Sequence, residues 1–354
     1  MVATELGSLV RPDIKTLEEL RLHYSAALDE SRMLTEKSSH PMSPAGQLAL
    51  RCAIAQATLL RPVLSQSDIA ESPLLHPIEK SEGNPPAVID IAGGELIRAV
   101  VTSSVEDTGQ IARIRIEEMK KWEDITPTHQ VRSDQGDHLL LIDPIDETDG
   151  ITSGNRAQTI GVLVAGPDGS FSAASVASLV PGDRRVLVVD GTTVHRLFYN
   201  ERSHSIRTAD LTTQSPWKEG DRLRIATLPR RLDTLKQTPL FQEYGDRIDI
   251  QPTFGGFALM DMIMPMGKQT HVMLDLKKGQ PWYEPWAWIA QQSANQTGLI
   301  VRGKHGNTLP FEHVFQFIYE KGGNARIPQV ICLNPEVYNF VGPRLGTVPL
   351  PIAA

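Results

Sequence analysis

The chain is nearly empty of cysteine. Only Cys52 and Cys332 occur among 354 residues, too few for a disulfide framework, so a reducing and therefore cytoplasmic setting is expected. Long apolar runs are also missing. No stretch of about 18 apolar residues is present to span a bilayer. The start, MVATELGSLVRPDIK, has no basic segment followed by an apolar core, so no secretory signal is expected. Positive charge is in deficit: 35 Lys and Arg stand against 42 Asp and Glu, a net charge of −7. That balance argues against a nucleic-acid-binding surface and suits an acidic metal site. Internal repeats, low-complexity tracts, Rossmann and Walker motifs and zinc-ligand spacings are absent, and Gly322-Gly323-Asn324 reads as a turn. What remains is an ordinary soluble composition, 40% hydrophobic and 22% charged, at a length that accommodates one large or two medium domains.

Punctuation divides the chain into elements. Residues 1–42 read as a polar extension with one short helical pattern (Leu17, Leu20, Leu22, Ala26). Ser43-Pro44 is a helix start, with Ser as cap and Pro in the first turn. Leu48, Cys52, Ile54, Leu59 and Val63 carry that helix to about residue 66. Residues 67–86 read as loop, and 89–103 as a second helix. Residues 111–142 are ambiguous, because IARIRIEE fits either an alternating strand or a helix start. From Ile160 the pattern is β, with Gly-containing turns between runs, which suggests antiparallel strands. The polar stretch 200–222 holds the expected boundary between a domain at 43–215 and one at 216–345. The second part alternates strands with helices: a helix at 232–244, another from Phe257 to about Met266, the strand HVMLDL, a helix at 286–296 and a last strand near 330–333. This alternation implies an α/β half.

Residues 139–150, LLLIDPIDETDG, are the most informative stretch. The run Leu139 to Ile142 reads as a buried strand that ends at Asp143. Pro144 removes the next backbone donor. Asp146 follows three residues on, with Thr148 just beyond. Two carboxylates fixed at a strand end suit hard divalent cations, and paired metals about 4 Å apart are a standard device for hydrolysing phosphate esters.

DPIDET resembles the DP(I/L)DGT signature of the inositol monophosphatase and fructose-1,6-bisphosphatase superfamily. The resemblance implies that Asp143, Asp146 and the carbonyl of Ile145 bind catalytic Mg²⁺, two or three ions in all. Lys80 to Ile97, KSEGNPPAVIDIAGGELI, is similar to the family segment whose Asp pairs with the signature Thr. Asp90 and Thr148 would then orient and deprotonate the attacking water, since water polarised by a cation still needs an aligned acceptor. Read alone, Asp90 is an ordinary acid at a helix N-terminus. The family's Glu that completes the metal site has two candidates here. Glu117 follows IARIRI, 26 residues before Asp143, and Asp134 lies nine residues before it; Glu117 is preferred. The last ligand falls on Glu284 in PWYEPWAWIA, where the family has Asp after Trp. The likeness covers roughly residues 43–340. Its closest local fit is to 3′-phosphoadenosine-5′-phosphate phosphatases, whose DPIDGTKGF pattern aligns without gaps to DPIDETDGI.

The departures are as specific as the matches. Glu147 replaces a Gly, and in the family the backbone N–H groups there, at 147 and 148, hold the phosphate. Two unit charges 4 Å apart repel by about 4 kcal/mol at an effective dielectric near 20, so the Glu147 carboxylate must turn away or meet a cation. Asp149 replaces a Lys. Phe257 and Met260 stand where Ser and Lys would meet a second phosphate, and Thr227-Leu228 stands for the Ser-His of the adenine site. Metal carboxylates are kept while cationic substrate contacts are lost, which suggests a substrate with an apolar part. His195 and His271 lie in strand-like segments and read as structural, and Trp282, Trp286 and Trp288 as packing.

The expected fold is therefore the layered αβαβα arrangement of α+β and α/β parts, with metals where the parts meet. The expected activity is Mg²⁺-dependent hydrolysis of a phosphate monoester of a small molecule, in a specialised metabolic role. The resemblance also implies a homodimer and inhibition by Li⁺. Two other classes stay open: metal-assisted elimination or cyclisation of an isoprenoid-type phosphate or diphosphate on the same scaffold, and a non-catalytic relative that only binds.

Overall fold

The computed structural model describes residues 15–36, 38, 41–76, 87–116, 122–128, 138–146, 148–152, 157–200, 203–209, 217–275, 285–303 and 329–346. The chain divides into two compact units. One comprises residues 1–209 with 284–286, and the other residues 210–283 with 287–354.

The first unit is built on an eight-stranded sheet. Its strands are β1 (Ala112–Ile116), β2 (Glu123–Ile125), β3 (His138–Asp146), β4 (Thr159–Ala165), β5 (Phe171–Ser178), β6 (Arg185–Asp190), β7 (Thr193–Asn200) and β8 (Ser205–Thr208), in the order β2-β1-β3-β4-β5-β6-β7-β8. β1 pairs with β3 in parallel and every other neighbour is antiparallel. The ambiguous residues after 111 thus begin with a strand, Ala112–Ile116. Both edge strands are short and polar. At β2, Glu123 meets Arg98 and Asp124 meets Arg113; at β8, Ser205, Arg207 and Thr208 are exposed.

Two long helices cover this sheet. α3 (Pro44–Leu64) follows from α1 (Leu17–Arg21) and α2 (Tyr24–Glu36), and α4 is Val88–Thr108. The expected cap of α3 is present: the Ser43 hydroxyl accepts from the Gly46 N–H, with Pro44 in the first turn. Ser43 also donates through both its N–H and its hydroxyl to Asp190 at the end of β6. This ties the helix start to the sheet. α3 packs on β4, β5 and β6, and α4 on β1 and β3. α4 ends at Gly109, whose φ of 69° is the left-handed conformation that glycine supplies without a Cβ clash. Of the apolar pattern Leu17, Leu20, Leu22 and Ala26, only Leu20 is fully buried, while Leu22 is 81% exposed because it caps α1. The buried face continues instead through Ala27 and Leu34 of α2, which packs against α3.

The second unit holds a five-stranded mixed sheet, ordered β10-β9-β11-β13-β12. These are β9 (Leu223–Ala226), β10 (Ile248–Gln251), β11 (Val272–Asp275), β12 (Ile300–Gly303) and β13 (Gln329–Cys332). The single helix expected over 232–244 is two, Leu232–Lys236 and Pro239–Tyr244. Pro239 cannot continue a helix, and Thr238 caps the second piece by accepting from the Phe241 N–H at 3.3 Å. A further helix, α8 in chain order, runs Gly255–Ile263. Mixed sheets with covering helices make this the layered α/β fold expected from the sequence.

Candidate active site

The DPIDET turn sits at the end of β3, and its backbone explains its reach. β3 pairs with β4 as Asp143 with Gly161 and then Asp146 with Thr159. Three steps on one strand match two on the other, so Pro144 and Ile145 form a β-bulge opposite Ile160. A bulge bends the strand and re-aims its side chains. Pro144 favours one here because it has no N–H to give to a ladder. Asp143 is 3% exposed, Ile145 is buried, and Asp146 is half-buried, accepting from the Thr159 hydroxyl at 3.2 Å.

Thr148 opens the short helix α5 (Thr148–Thr152) directly after the turn. Its hydroxyl lies 2.7 Å from Asp90 Oδ1 and 2.8 Å from the Ile145 carbonyl. One proton cannot serve both fully, and the charge-assisted bond to the carboxylate is the stronger. Asp90 comes from the first turn of α4 and is 5% exposed. Its Oδ2 accepts from the Ala87 N–H at 2.9 Å. Both sequence readings of Asp90 therefore hold together, since one oxygen caps a helix and the other takes Thr148.

These elements bring Asp90, Asp143, Ile145, Asp146 and Thr148 to one end of β3. The oxygens they contribute are carboxylate and carbonyl oxygens, a set that fits a hard divalent cation and suits zinc or copper poorly. Among the described residues no three His, Cys, Asp or Glu side chains converge. Glu117, Asp134, Glu147, Glu284 and the side chain of Asp149 lie outside the described residues. Phe257 and Met260 belong to α8 of the second unit, the former half-buried and the latter fully buried. His271 is structural, as its pattern suggested: Nδ1 accepts the Arg224 N–H, and burial pulls the imidazole pKa down to about 4. A cavity of about 190 Å³ lined by Trp217, Tyr244, Arg247 and Phe340 contains none of the expected site residues.

Three residues at this end of β3 carried no signal in the sequence. Thr159 is buried and holds Asp146. Gly161, the partner of Asp143, leaves room for Pro285: a Cβ at 161 would stand 3.1 Å from the Pro285 ring. Gln56 reaches the Pro144 carbonyl from α3 at 3.0 Å.

Solved structures share this architecture at low identity. The fructose-1,6-bisphosphatase of Leishmania major in its holo form matches with a TM-score of 0.57 and 17% identity, over 85% of this chain and 95% of that one. The extragenic suppressor protein suhB of Bartonella henselae matches with a TM-score of 0.55 and 13% identity, over 87% and 100%. No family model and no curated protein matches the sequence. The chain has the fold of the inositol monophosphatase and fructose-1,6-bisphosphatase superfamily. No helix among the described residues is long and apolar enough to cross a membrane.

Proposed function

We propose that the protein is a Mg²⁺-dependent phosphatase that hydrolyses a phosphate monoester of a small molecule. The observation that carries the reading is the Thr148–Asp90 hydrogen bond at 2.7 Å, set directly behind the Asp143–Asp146 bulge. Asp143, Asp146 and the Ile145 carbonyl would hold the cations, which supply charge neutralisation and polarise water when bound.

Two further ligands complete the proposed shell. Strand register supports Glu117 over Asp134. Ile116 closes β1 opposite Ile142, one residue before Asp143, whereas β3 opens with His138 opposite Ala112 at its other end. β1 therefore ends level with the residue before Asp143, and Glu117 is next in sequence, whereas Asp134 is four residues ahead of His138 at the opposite end of the pairing. Glu284 is supported by its neighbour Pro285, which seats against Gly161, the strand partner of Asp143.

In this reading the Thr148 oxygen accepts a proton from the attacking water while its own proton passes to Asp90 Oδ1. Water oxygen bonds to phosphorus and the ester P–O bond breaks; the departing oxygen takes a proton from solvent water, and Asp90 later releases its proton to solvent, so the protons balance. Asp90 keeps its second oxygen on the Ala87 N–H, so the acceptor stays oriented as it protonates. Glu147 adds a negative charge to the sequence of this turn, a repulsion of an anionic substrate that bound cations would offset. A monophosphate with an apolar part is favoured over a bisphosphate, since the sequence has Phe257 and Met260 where the resembled phosphatases have Ser and Lys; the Met260 side chain is fully buried and contributes packing only.

Mg²⁺-dependent phosphate release over sugar phosphates, nucleoside bisphosphates and prenyl phosphates tests the proposal, with Asp146→Asn as control. Release that is lost in the variant is expected. No release from any of these by a folded, Mg²⁺-binding protein would overturn it.

A further inference from the structure

We infer that Gln56, on the long helix α3, is a positioning residue that fixes the cation-binding turn; the inference rests on the proposed role of Asp143 and Asp146. The bulge takes Pro144 out of the β3–β4 ladder, so its carbonyl needs a donor from elsewhere. Gln56 supplies it. Its side chain is 0% exposed, and Nε2 donates to the Pro144 oxygen at 3.0 Å. The Ile145 carbonyl beside it lies 2.8 Å from the Thr148 hydroxyl, which it shares with Asp90, so Gln56 is the donor committed to the bulge alone.

The space around this bond is equally committed. Gly93 of α4 faces it, and a Cβ there would lie 2.1 Å from Gln56 Nε2 and 3.1 Å from Pro144 Cβ. Two helices therefore close on the peptide that links the two carboxylates, and Gly93 has no side chain so that the amide can pass. The amide is a poor choice for packing alone. Gln56 Oε1 is buried and makes no hydrogen bond, a penalty that an apolar residue of the same length would not incur. What the amide adds is a fixed donor behind Pro144, and with it the direction of Asp143 and Asp146. Outer groups that orient ligands in this way typically change cation affinity by about 10–100-fold when removed.

Titration calorimetry with Mg²⁺ and Mn²⁺ on the full chain provides the test. Gln56→Met keeps the length and removes the donor; Gln56→Glu keeps the shape and turns an acceptor toward the carbonyl. About a 10–100-fold loss of affinity is expected for Gln56→Met and a larger one for Gln56→Glu, with the Gln56→Met melting temperature within about 4 °C of the parent. If Gln56→Met does not fold, Gly93→Ala decides, because it displaces the amide while leaving it in the sequence. Parental affinity in a folded Gln56→Met or Gly93→Ala protein would make the residue a packing element and overturn the inference, leaving the proposed activity intact. Absence of cation binding by the unaltered protein would remove both.

Discussion

Replacing Thr148 by Val separates chemistry from stability at the proposed site. Val keeps the branched shape and loses only the hydroxyl, which lies 2.7 Å from Asp90 and 2.8 Å from the Ile145 carbonyl. On stability, the loss is one charge-assisted hydrogen bond to a buried carboxylate, about 1–3 kcal/mol. The lower half of that range applies, because Asp90 retains the Ala87 N–H on its other oxygen. On rate, removal of a group that relays the proton of water typically costs about 10²–10⁴-fold, which at about 1.4 kcal/mol per tenfold is roughly 3–5 kcal/mol. The two effects differ enough to be told apart. Steady-state phosphate release should show kcat reduced by at least about 10²-fold with KM little changed. Thr148→Ser, which restores the hydroxyl, should recover to within about tenfold of the parent. Asp90→Asn and the double variant should each lose about as much as Thr148→Val alone, since residues acting as one unit are not additive. A folded, cation-binding Thr148→Val protein that keeps kcat within about threefold would refute the relay.

Two other outcomes follow from the geometry. Gly161→Ala places a Cβ 3.1 Å from the rigid Pro285 ring, overpacking expected to cost about 1–3 kcal/mol in thermal denaturation; it should also weaken Mg²⁺ binding, and a lowered melting temperature with parental affinity would count against Glu284 as a ligand. His271 is held neutral by burial, with its pKa lowered to about 4, so the unfolded chain takes up the proton first as pH falls. Stability from this group is full above about pH 6.5 and is lost progressively toward pH 4, at most about 3 kcal/mol and nearer 1–2 after discounting for partial exposure; urea denaturation at pH 7, 5.5 and 4 should show the slope, flattened in His271→Asn.

The sequence exposed those parts of the site that are local. The apolar run before Asp143 and the cap at Ser43 are read from neighbours in the chain and are present, but the strand does not end at Asp143: it passes Pro144 as a bulge and runs on to Asp146. Asp90 was reachable only through a resemblance, because its partner is 58 residues away. Gln56 was not reachable at all. In AIAQATLL the two polar residues Gln56 and Thr58 on a buried helix give no sign of their partners, since the Gln56 pairing depends on how α3 crosses a bulge 88 residues later. The 111–142 segment was ambiguous for a related reason. Ala112–Ile116 alternates as a strand does but is only five residues long, and its partners β2 and β3 lie later in the chain, so the periodicity alone did not decide. The break at Pro239 is written locally, for a proline with a threonine before it is a helix start.

The two edges of the eight-stranded sheet bear on self-assembly. An unprotected edge offers a row of backbone donors and acceptors that a second chain can extend. Here one edge strand has three residues, two of them acidic and engaged by Arg98 and Arg113, and the other is four residues of exposed serine, arginine and threonine around Ile206. Neither gives a long apolar template. Among the described residues, joining of two copies along this eight-stranded sheet is therefore disfavoured.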